Sequence, residues 1–228
     1  MNKIKAAVFD LDHTLFDRYA TTALIMPEFI KDFDIADGVT VERATELMIK
    51  GDKQYNHRGW DKILEYLVKE GMFKTVPTVE FYTETLLKHF RTAAVEYPFT
   101  KPMLDELHAM GLKTGLITNG KSITQRKKLE MLGLESYLDE IVISGEIGFA
   151  KPKPEPFIEM AKRLNLKPEE IIFVGDNPVT DIEGARAGGF VPVWVATMGW
   201  WTIPEIEKTE YSVNDVSEIP ALIREMNK

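Results

Sequence analysis

The sequence predicts an α/β fold in which a parallel sheet is flanked by helices and a block of helices is inserted near the start of the chain. An apolar run, Ile4–Phe9, ends abruptly in carboxylates, as expected of a buried strand. Residues 17–89 then carry apolar side chains at three- and four-residue spacing, which is typical of helices. After Pro98, short apolar runs alternate with helical segments, which indicates parallel strands joined by helices.

The composition is that of a globular protein without disulfides. The chain has 228 residues, of which 44% are hydrophobic and 28% are charged, and its net charge is −8. This charge argues against a nucleic acid polymer as partner, because phosphate backbones are bound by clustered Lys and Arg. Without cysteine, the chain offers no disulfide, no thiolate nucleophile and no cysteine zinc site.

The start of the chain and the length of its apolar runs favour a cytoplasmic location. Met1–Lys5 leads straight into the first strand, without the apolar segment of a secretory signal. The longest apolar run, Val191–Trp201, is interrupted by Pro192 and Gly199 and is too short to span a bilayer. We therefore expect no membrane partner, and the lack of cysteine suits the reducing cytoplasm.

The first strand is followed by two carboxylates, Asp10 and Asp12, and by the hydroxyl of Thr14. In an extended chain, residues two apart face the same way, so the two carboxylates begin on one side. Such close carboxylates repel each other unless a cation or a proton-transfer role accounts for them. The alternative is a strand that runs into a turn, with the Asp side chains bonded to local N–H groups.

Residues 17–96 are predicted to form a separate helical domain, since no convincing strand interrupts them. The expected helices are Tyr19–Phe33, Val41–Asn56, Trp60–Glu70 and Val79–Phe90. Thr40 is the expected N-cap of the second of these helices.

Residues 1–16 and 97–228 are predicted to form the sheet domain. Its later strands are expected at Leu112–Thr118, Glu140–Ser144, Ile171–Gly175, Val191–Ala196 and, as a short edge strand, Tyr211–Val213. Its helices are expected at Lys101–Met110, Ser122–Leu132, Pro154–Leu164, Asp181–Ala187 and Ser217–Met226. Ser122 with Gln125, and Thr180 with Glu183, fit capping boxes. In parallel sheets of this kind, the ligand binds at the carboxyl ends of the strands.

Polar residues follow four of the predicted strands. They are Asp10, Asp12 and Thr14, then Thr118, Asn119 and Gly120, then Lys151 and Pro152, and finally Gly175, Asp176 and Asp181. If the strands are parallel, these groups meet at one edge, where oxygen ligands suit Mg²⁺ and the hydroxyl, ammonium and N–H groups suit a phosphoryl group. Taken singly, each has a plainer explanation: a strand-end hydroxyl, a solvated loop lysine, or an aspartate favoured at a helix N-terminus.

These four stretches, in this order, resemble the haloacid dehalogenase superfamily of hydrolases in its phosphatase branch. The resemblance covers nearly the whole chain and implies a Rossmann-like core, with residues 17–96 as a type-one helical cap. The stretch from Gln125 to Pro154 looks most like members that cleave nucleotides and sugar phosphates.

The resemblance also implies roles for the residues of the four motifs. Asp10 would be the nucleophile and Asp12 the general acid and base. Mg²⁺ would be held by the side chains of Asp10 and Asp176 and by the backbone carbonyl of Asp12. Thr118 would act in catalysis by holding the phosphoryl group.

Three more residues take supporting roles in the same resemblance. The N–H of Asn119 and the ammonium of Lys151 would help to bind phosphate, and Lys151 would offset the crowded negative charge during catalysis. Asp181 would lie close by, either as a ligand through water or as a partner of Lys151.

The helical insert offers candidates for substrate specificity. They are Arg18, His57, Arg58 and Trp60, of which the last three lie in a turn between two predicted helices. Type-one caps carry a specificity loop at such a place. The alternative is a solvated turn in which Trp60 is a core anchor.

The function predicted is a Mg²⁺-dependent phosphatase that hydrolyses a small phosphorylated metabolite, a nucleotide or sugar phosphate, through an aspartyl-phosphate. A phosphomutase shares all four motifs, and a phospho-ligand-binding regulator without turnover is the alternative outside enzymes. A dehalogenase is disfavoured because that branch lacks the second acid, and Asp12 is present. Monomer and homodimer both stay open.

Overall fold

The computed structural model describes residues 3–55, 58–196 and 205–228. The chain divides into two compact units, the first made of Met1–Asp17 with Glu96–Lys228 and the second of Arg18–Val95. The sequence predicts boundaries at residues 16/17 and 96/97, and the role of the second unit as a cap stays a prediction.

The first unit contains a six-stranded sheet in the order β3-β2-β1-β4-β5-β6, in which every neighbouring pair is parallel. The strands are β1 (Ala6–Phe9), β2 (Lys113–Thr118), β3 (Glu140–Ile143), β4 (Ile171–Gly175), β5 (Val191–Val195) and β6 (Tyr211–Val213). Val8 of β1 is in register with Gly115 and Phe173 on its two neighbours. The predicted parallel sheet is confirmed, and the carboxyl ends of β2, β1 and β4 lie side by side.

The α-helices are divided between the two units. In the second unit they are α1 (Arg18–Phe29), α2 (Val41–Tyr55), α3 (Trp60–Lys69) and α4 (Val79–His89). In the first unit they are α5 (Thr100–Ala109), α6 (Ser122–Leu132), α7 (Ser144–Ile147), α8 (Glu155–Leu164), α9 (Gly184–Ala187) and α10 (Ile219–Met226).

The core of the first unit explains the uninterrupted apolar run of its first strand. All residues of β1 are buried, because helices flank the sheet and leave this central strand no solvent-facing side. Phe157 of α8 packs edge-on against Phe173 and Phe190, with ring centroids 5.0 and 5.5 Å apart. This packing joins α8 to β4 and to the residue that precedes β5.

Both expected capping boxes are wrong. Helix α6 has Lys121 at its N-cap with no side-chain cap, and the side chain of Gln125 donates to Thr118 instead. After β4, a π-helical segment over Pro178–Glu183 precedes α9. Asn177 caps this segment instead of Thr180, because its Oδ1 accepts the N–H of Thr180 at 3.1 Å.

The second unit has an apolar core of its own. Tyr82 is fully buried, its hydroxyl lies 3.2 Å from Sδ of Met48, and its ring lies edge-on to that of Phe29. Thr40 accepts the N–H of Arg43 at 3.2 Å, which confirms the N-cap expected for α2.

The chain leaves and re-enters the first unit at adjacent positions. Phe16 and Glu96 form an isolated antiparallel bridge. The hydroxyl of Thr100 donates to the carbonyl of Leu15 at 2.8 Å. The two ends of the insert are therefore attached side by side.

Candidate active site

A cluster of carboxylates lies at the carboxyl edge of the sheet. Asp10 follows β1, Asp176 follows β4 and Asp181 lies in the π-helical segment; one oxygen from each is within 4.8 Å of the others. The three residues are buried, so water screens their charges only weakly. A set of close carboxylate oxygens fits a hard divalent cation such as Mg²⁺.

Lys151 lies inside this cluster. Its Nζ donates to Oδ1 of Asp10 at 2.6 Å and to Oδ1 of Asp181 at 2.7 Å, and its side chain is 1% exposed. Burial works against the charged form, but the two carboxylates outweigh it and raise the pKa of Lys151. Lys151 is therefore a buried cation, and the alternative of a solvated loop lysine is wrong.

The pKa of Asp10 is raised by its buried and negatively charged surroundings. Burial raises its pKa to about 7, and the charges of Asp181 and Asp12 add to this, while Lys151 opposes it. Charge on Asp10 is therefore costly unless more positive charge is present. A bound divalent cation would supply that charge.

The turn after β4 holds Asp181 tightly. Its Oδ2 accepts the N–H of Asn177 at 3.0 Å. Gly175 makes room for it, because a Cβ at this glycine would lie 2.6 Å from Cβ and Cγ of Asp181. Nearby, the carbonyl of Asp176 accepts the indole N–H of Trp194 at 3.2 Å.

Asn119 joins the loop after β2 to the loop that carries Lys151. Its side-chain amide donates to the Lys151 carbonyl, and its Oδ1 accepts the Lys151 N–H, both at 2.9 Å. The side chain thus has a structural role that the sequence did not indicate. The preceding hydroxyl, Thr118, is buried at the end of β2.

Asp12 is held by two residues that the sequence did not indicate as functional, Gln125 and Lys128 of α6. Nζ of Lys128 lies 2.8 and 2.9 Å from the two carboxylate oxygens of Asp12. The amide of Gln125 donates to Thr118 Oγ1 at 2.5 Å and to Asp12 Oδ2 at 3.3 Å. Their three-residue spacing places them on one helix face, and this spacing was the sequence feature that could have paired them.

The structure brings together two of the four specificity candidates in the second unit. Nη2 of Arg18 donates to Asp52 at 2.8 Å, and its guanidinium lies 4.8 Å from the ring centroid of Trp60. Both line a cavity of about 120 Å³. Arg58 is exposed, and His57 lies outside the described residues.

Comparison with known sequences identifies a matching family and similar proteins. A family model for haloacid dehalogenase-like hydrolases matches residues 4–189. The glyceraldehyde 3-phosphate phosphatase of Methanocaldococcus jannaschii is 32% identical over 230 residues, covering 99% of both chains. The N-acylneuraminate-9-phosphatase of Homo sapiens is 30% identical over 247 residues, covering 100% of this chain and 96% of that one.

Solved structures share the fold. The Bacillus subtilis HAD-hydrolase YfnB, bound to magnesium, has a TM-score of 0.78 at 19% identity, covering 97% of this chain and 99% of that chain. The L-2-haloacid dehalogenase of Xanthobacter autotrophicus has a TM-score of 0.69 at 22% identity, covering 98% and 99%.

Among the described residues, no helix combines the length and the apolar character needed to cross a bilayer.

The family model spans most of the chain, and the archaeal and human phosphatases align over nearly all of it. The chain therefore belongs to the haloacid dehalogenase-like hydrolases, as its four motifs predict.

Proposed function

We propose that this protein is a Mg²⁺-dependent phosphatase that hydrolyses a small phosphomonoester through an aspartyl-phosphate on Asp10. The observation that carries the proposal is the buried cluster in which Lys151 lies between Asp10 and Asp181, with Asp176 beside them. Phosphoryl transfer depends on positioning and on charge stabilisation, and this cluster offers both. Relatives that are phosphatases support the same conclusion.

The residues divide the work between two steps. In the first, a carboxylate oxygen of Asp10 attacks phosphorus while Asp12 gives its proton to the departing oxygen. In the second, Asp12 takes a proton from water as the water oxygen attacks phosphorus, which releases phosphate and restores Asp10. The acid and base roles together are worth about 10²–10⁴-fold in rate.

The remaining groups hold charge. The hydroxyl of Thr118 accepts from Gln125 and so keeps its own proton to donate to a phosphoryl oxygen. The backbone N–H of Asn119 and the ammonium of Lys151 complete the phosphate site. Asp10 and Asp176 would hold Mg²⁺ with the carbonyl of Asp12, and the ion would supply positive charge against the phosphoryl oxygens.

The substrate is a small phosphorylated metabolite, with sugar phosphates and nucleotides as the leading classes. Two relatives act on phosphates of glyceraldehyde and of N-acylneuraminate by name, which supports a sugar-like leaving group. Residues 17–96 serve as the cap domain that selects it, through Arg58 together with Arg18, His57 and Trp60. The cytoplasm suits this activity and a chain without cysteine.

The test is phosphate release from p-nitrophenyl phosphate with Mg²⁺, followed by a screen of sugar phosphates and nucleotides. The matched control is Asp10→Asn, which keeps the side-chain shape and removes the nucleophile. We expect turnover by the wild type and only background release by the variant, with the same circular dichroism spectrum. Wild-type rates in a folded Asp10→Asn protein would contradict the mechanism, and a chain inactive on every ester would contradict the function.

A further inference from the structure

Asp12 is bound from one face of α6 by two side chains, Gln125 and Lys128. The Lys128 ammonium contacts both carboxylate oxygens, at 2.8 and 2.9 Å. The lysine side chain is only 6% exposed and that of Asp12 is 22% exposed. The ammonium also lies 5.3 Å from the ring centroid of Phe16, which limits where it can move.

A contribution to stability does not account for this arrangement. Removing two opposite charges from water costs about as much free energy as their attraction returns. The next residue along α6, Lys127, makes the common exposed pair with Glu130 instead. We therefore look for a reason other than stability for this partly buried pair, and its partner Asp12 points to that reason.

Gln125 couples the same carboxylate to the phosphate site. Its amide group donates to Thr118 Oγ1 at 2.5 Å and to Asp12 Oδ2 at 3.3 Å. One side chain therefore sets the separation between Asp12 and Thr118. Proton transfer and phosphate binding depend on such fixed separations, since small displacements lower the rate steeply.

We propose that Lys128 is a positioning residue that holds Asp12 in the orientation required for proton transfer, with Gln125 as the second contact. This rests on the function proposed above. The proton passes from the Asp12 carboxyl to the leaving oxygen as the P–O bond breaks, and Asp12 is left as a carboxylate beside Lys128. Lys128 keeps its own protons throughout and contacts the substrate only through Asp12.

The first test compares two esters of similar shape, phenyl phosphate and p-nitrophenyl phosphate. Phenolate, whose conjugate acid has a pKa near that of tyrosine at about 10, needs a proton on departure more than p-nitrophenolate does. Lys128→Met should lower the single-turnover rate for phenyl phosphate by about tenfold or more, and that for p-nitrophenyl phosphate much less. Lys128→Arg should recover part of the loss, and KM should change little in both variants.

The matched control is Lys127→Met, which makes the same chemical change in the neighbouring exposed pair. We expect it to leave both rates unchanged. Melting curves for all variants identify any loss that comes from unfolding. Equal losses for both esters in folded Lys128→Met would overturn the proposal.

A double-mutant cycle separates action through Asp12 from direct contact with phosphate. In the Asp12→Asn background, Lys128→Met should change the phenyl phosphate rate by less than about twofold, because the group that it positions is already disabled. Independent losses in the two backgrounds would show that Lys128 acts elsewhere, and would overturn the proposal.

Failure of the parent function has a different signature. A wild type that releases no phosphate from these esters, or from any ester of the screen, contradicts the phosphatase itself. A wild type that turns over but shows no coupling between Asp12 and Lys128 contradicts only the positioning role. If the best ester of the screen is a metabolite, the same cycle is run on that ester.

Discussion

At the scale of single residues, Asp10 shows how the site balances charge. It lies within a cluster of carboxylates whose buried ammonium is Lys151. Burial and the neighbouring carboxylates together outweigh that ammonium, so the pKa of Asp10 is raised to about 7. Further positive charge would therefore stabilise the ionised form of Asp10, as a divalent cation held by the same carboxylates would.

The first prediction follows from the raised pKa of Asp10, because a pKa that differs between the folded and unfolded states makes stability depend on pH. Because the folded-state pKa of Asp10 lies above its ordinary value of 3.8, the native state keeps a proton that the unfolded state releases. The stability from this group is fully present below about pH 4 and is lost as pH rises through about 7. In EDTA, the stability of Asp10→Asn relative to the wild type should therefore increase as the pH rises from 5 to 8.

The measurement is the melting temperature of both proteins at pH 5 and pH 8 without metal. The difference should favour Asp10→Asn more at pH 8. A difference that is equal at the two pH values, or larger at pH 5, would show that Asp10 does not carry the raised pKa.

The sequence predicted which residues meet at the sheet edge better than it predicted their partners. Asp10, Lys151 and Asp176 come after β1, β3 and β4 in the chain, and parallel topology alone brings the ends of these strands to one edge. Lys128 could not be found in this way, because the contacts of a helix residue can be predicted only when the orientation of the helix is known. The catalytic roles themselves stay predictions.

At the scale of elements, the turn after β4 carries the tightest steric constraint of the site. The sequence predicted the bounds of β4, since its apolar run and the following Gly-Asp are unambiguous. It misplaced the start of the next helix, because Asn177 caps the chain three residues earlier than Thr180 would. Local patterns could not distinguish two candidate capping residues that lie three positions apart.

The second prediction concerns Gly175→Ala. The new methyl group would overlap the side chain of Asp181, so the carboxylate must move. We expect a loss of about 1–3 kcal/mol in stability and a higher Mg²⁺ concentration for half-maximal activity.

The control is Gly115→Ala, whose Cβ would lie 2.9 Å from Sδ of Met160, away from the carboxylates. It should cost stability while leaving the Mg²⁺ requirement unchanged. If both variants need the same Mg²⁺ as the wild type, Asp181 does not influence the metal site.

The third prediction concerns the turn before α3. Arg58 is exposed at this turn, and Arg18 contacts Asp52 and Trp60 inside the second unit. Arg58→Ala should lower kcat/KM for the best substrate of the screen by about tenfold, or ~1.4 kcal/mol, and affect p-nitrophenyl phosphate much less.

Arg43→Ala is the matched control, since Arg43 is an exposed arginine of α2 paired with Glu46. It should leave both substrates unaffected. An unchanged kcat/KM in Arg58→Ala would mean that the turn only connects two helices and that specificity arises elsewhere in residues 17–96.

At the scale of the whole molecule, the fold class and family could be predicted because several weak signals agreed along the entire chain. The alternation of strands and helices and the four motifs each describe the same parallel sheet. The identity of the substrate could not be predicted, since exposed side chains such as Arg58 follow no packing pattern.

The fourth prediction concerns metal. Chelation with EDTA should abolish phosphate release, and Mg²⁺ should restore it, whereas Ca²⁺ should inhibit because its looser coordination misplaces the nucleophile. Mg²⁺ at 100 times its Kd should also stabilise the fold by about 2.7 kcal/mol. The shift in melting temperature should be smaller in Asp10→Asn. Full activity after exhaustive chelation would exclude the metal requirement.

The bridge between Phe16 and Glu96 has a consequence for how such proteins diversify. Because the two junctions of the insert are neighbours, an insert of different length or sequence can be exchanged there without stretching the chain on either side. Every residue of the carboxylate cluster lies outside the exchanged segment. Recombination at two adjacent points therefore offers a route by which relatives exchange the whole helical unit, while the carboxylate cluster at the sheet edge is inherited unchanged.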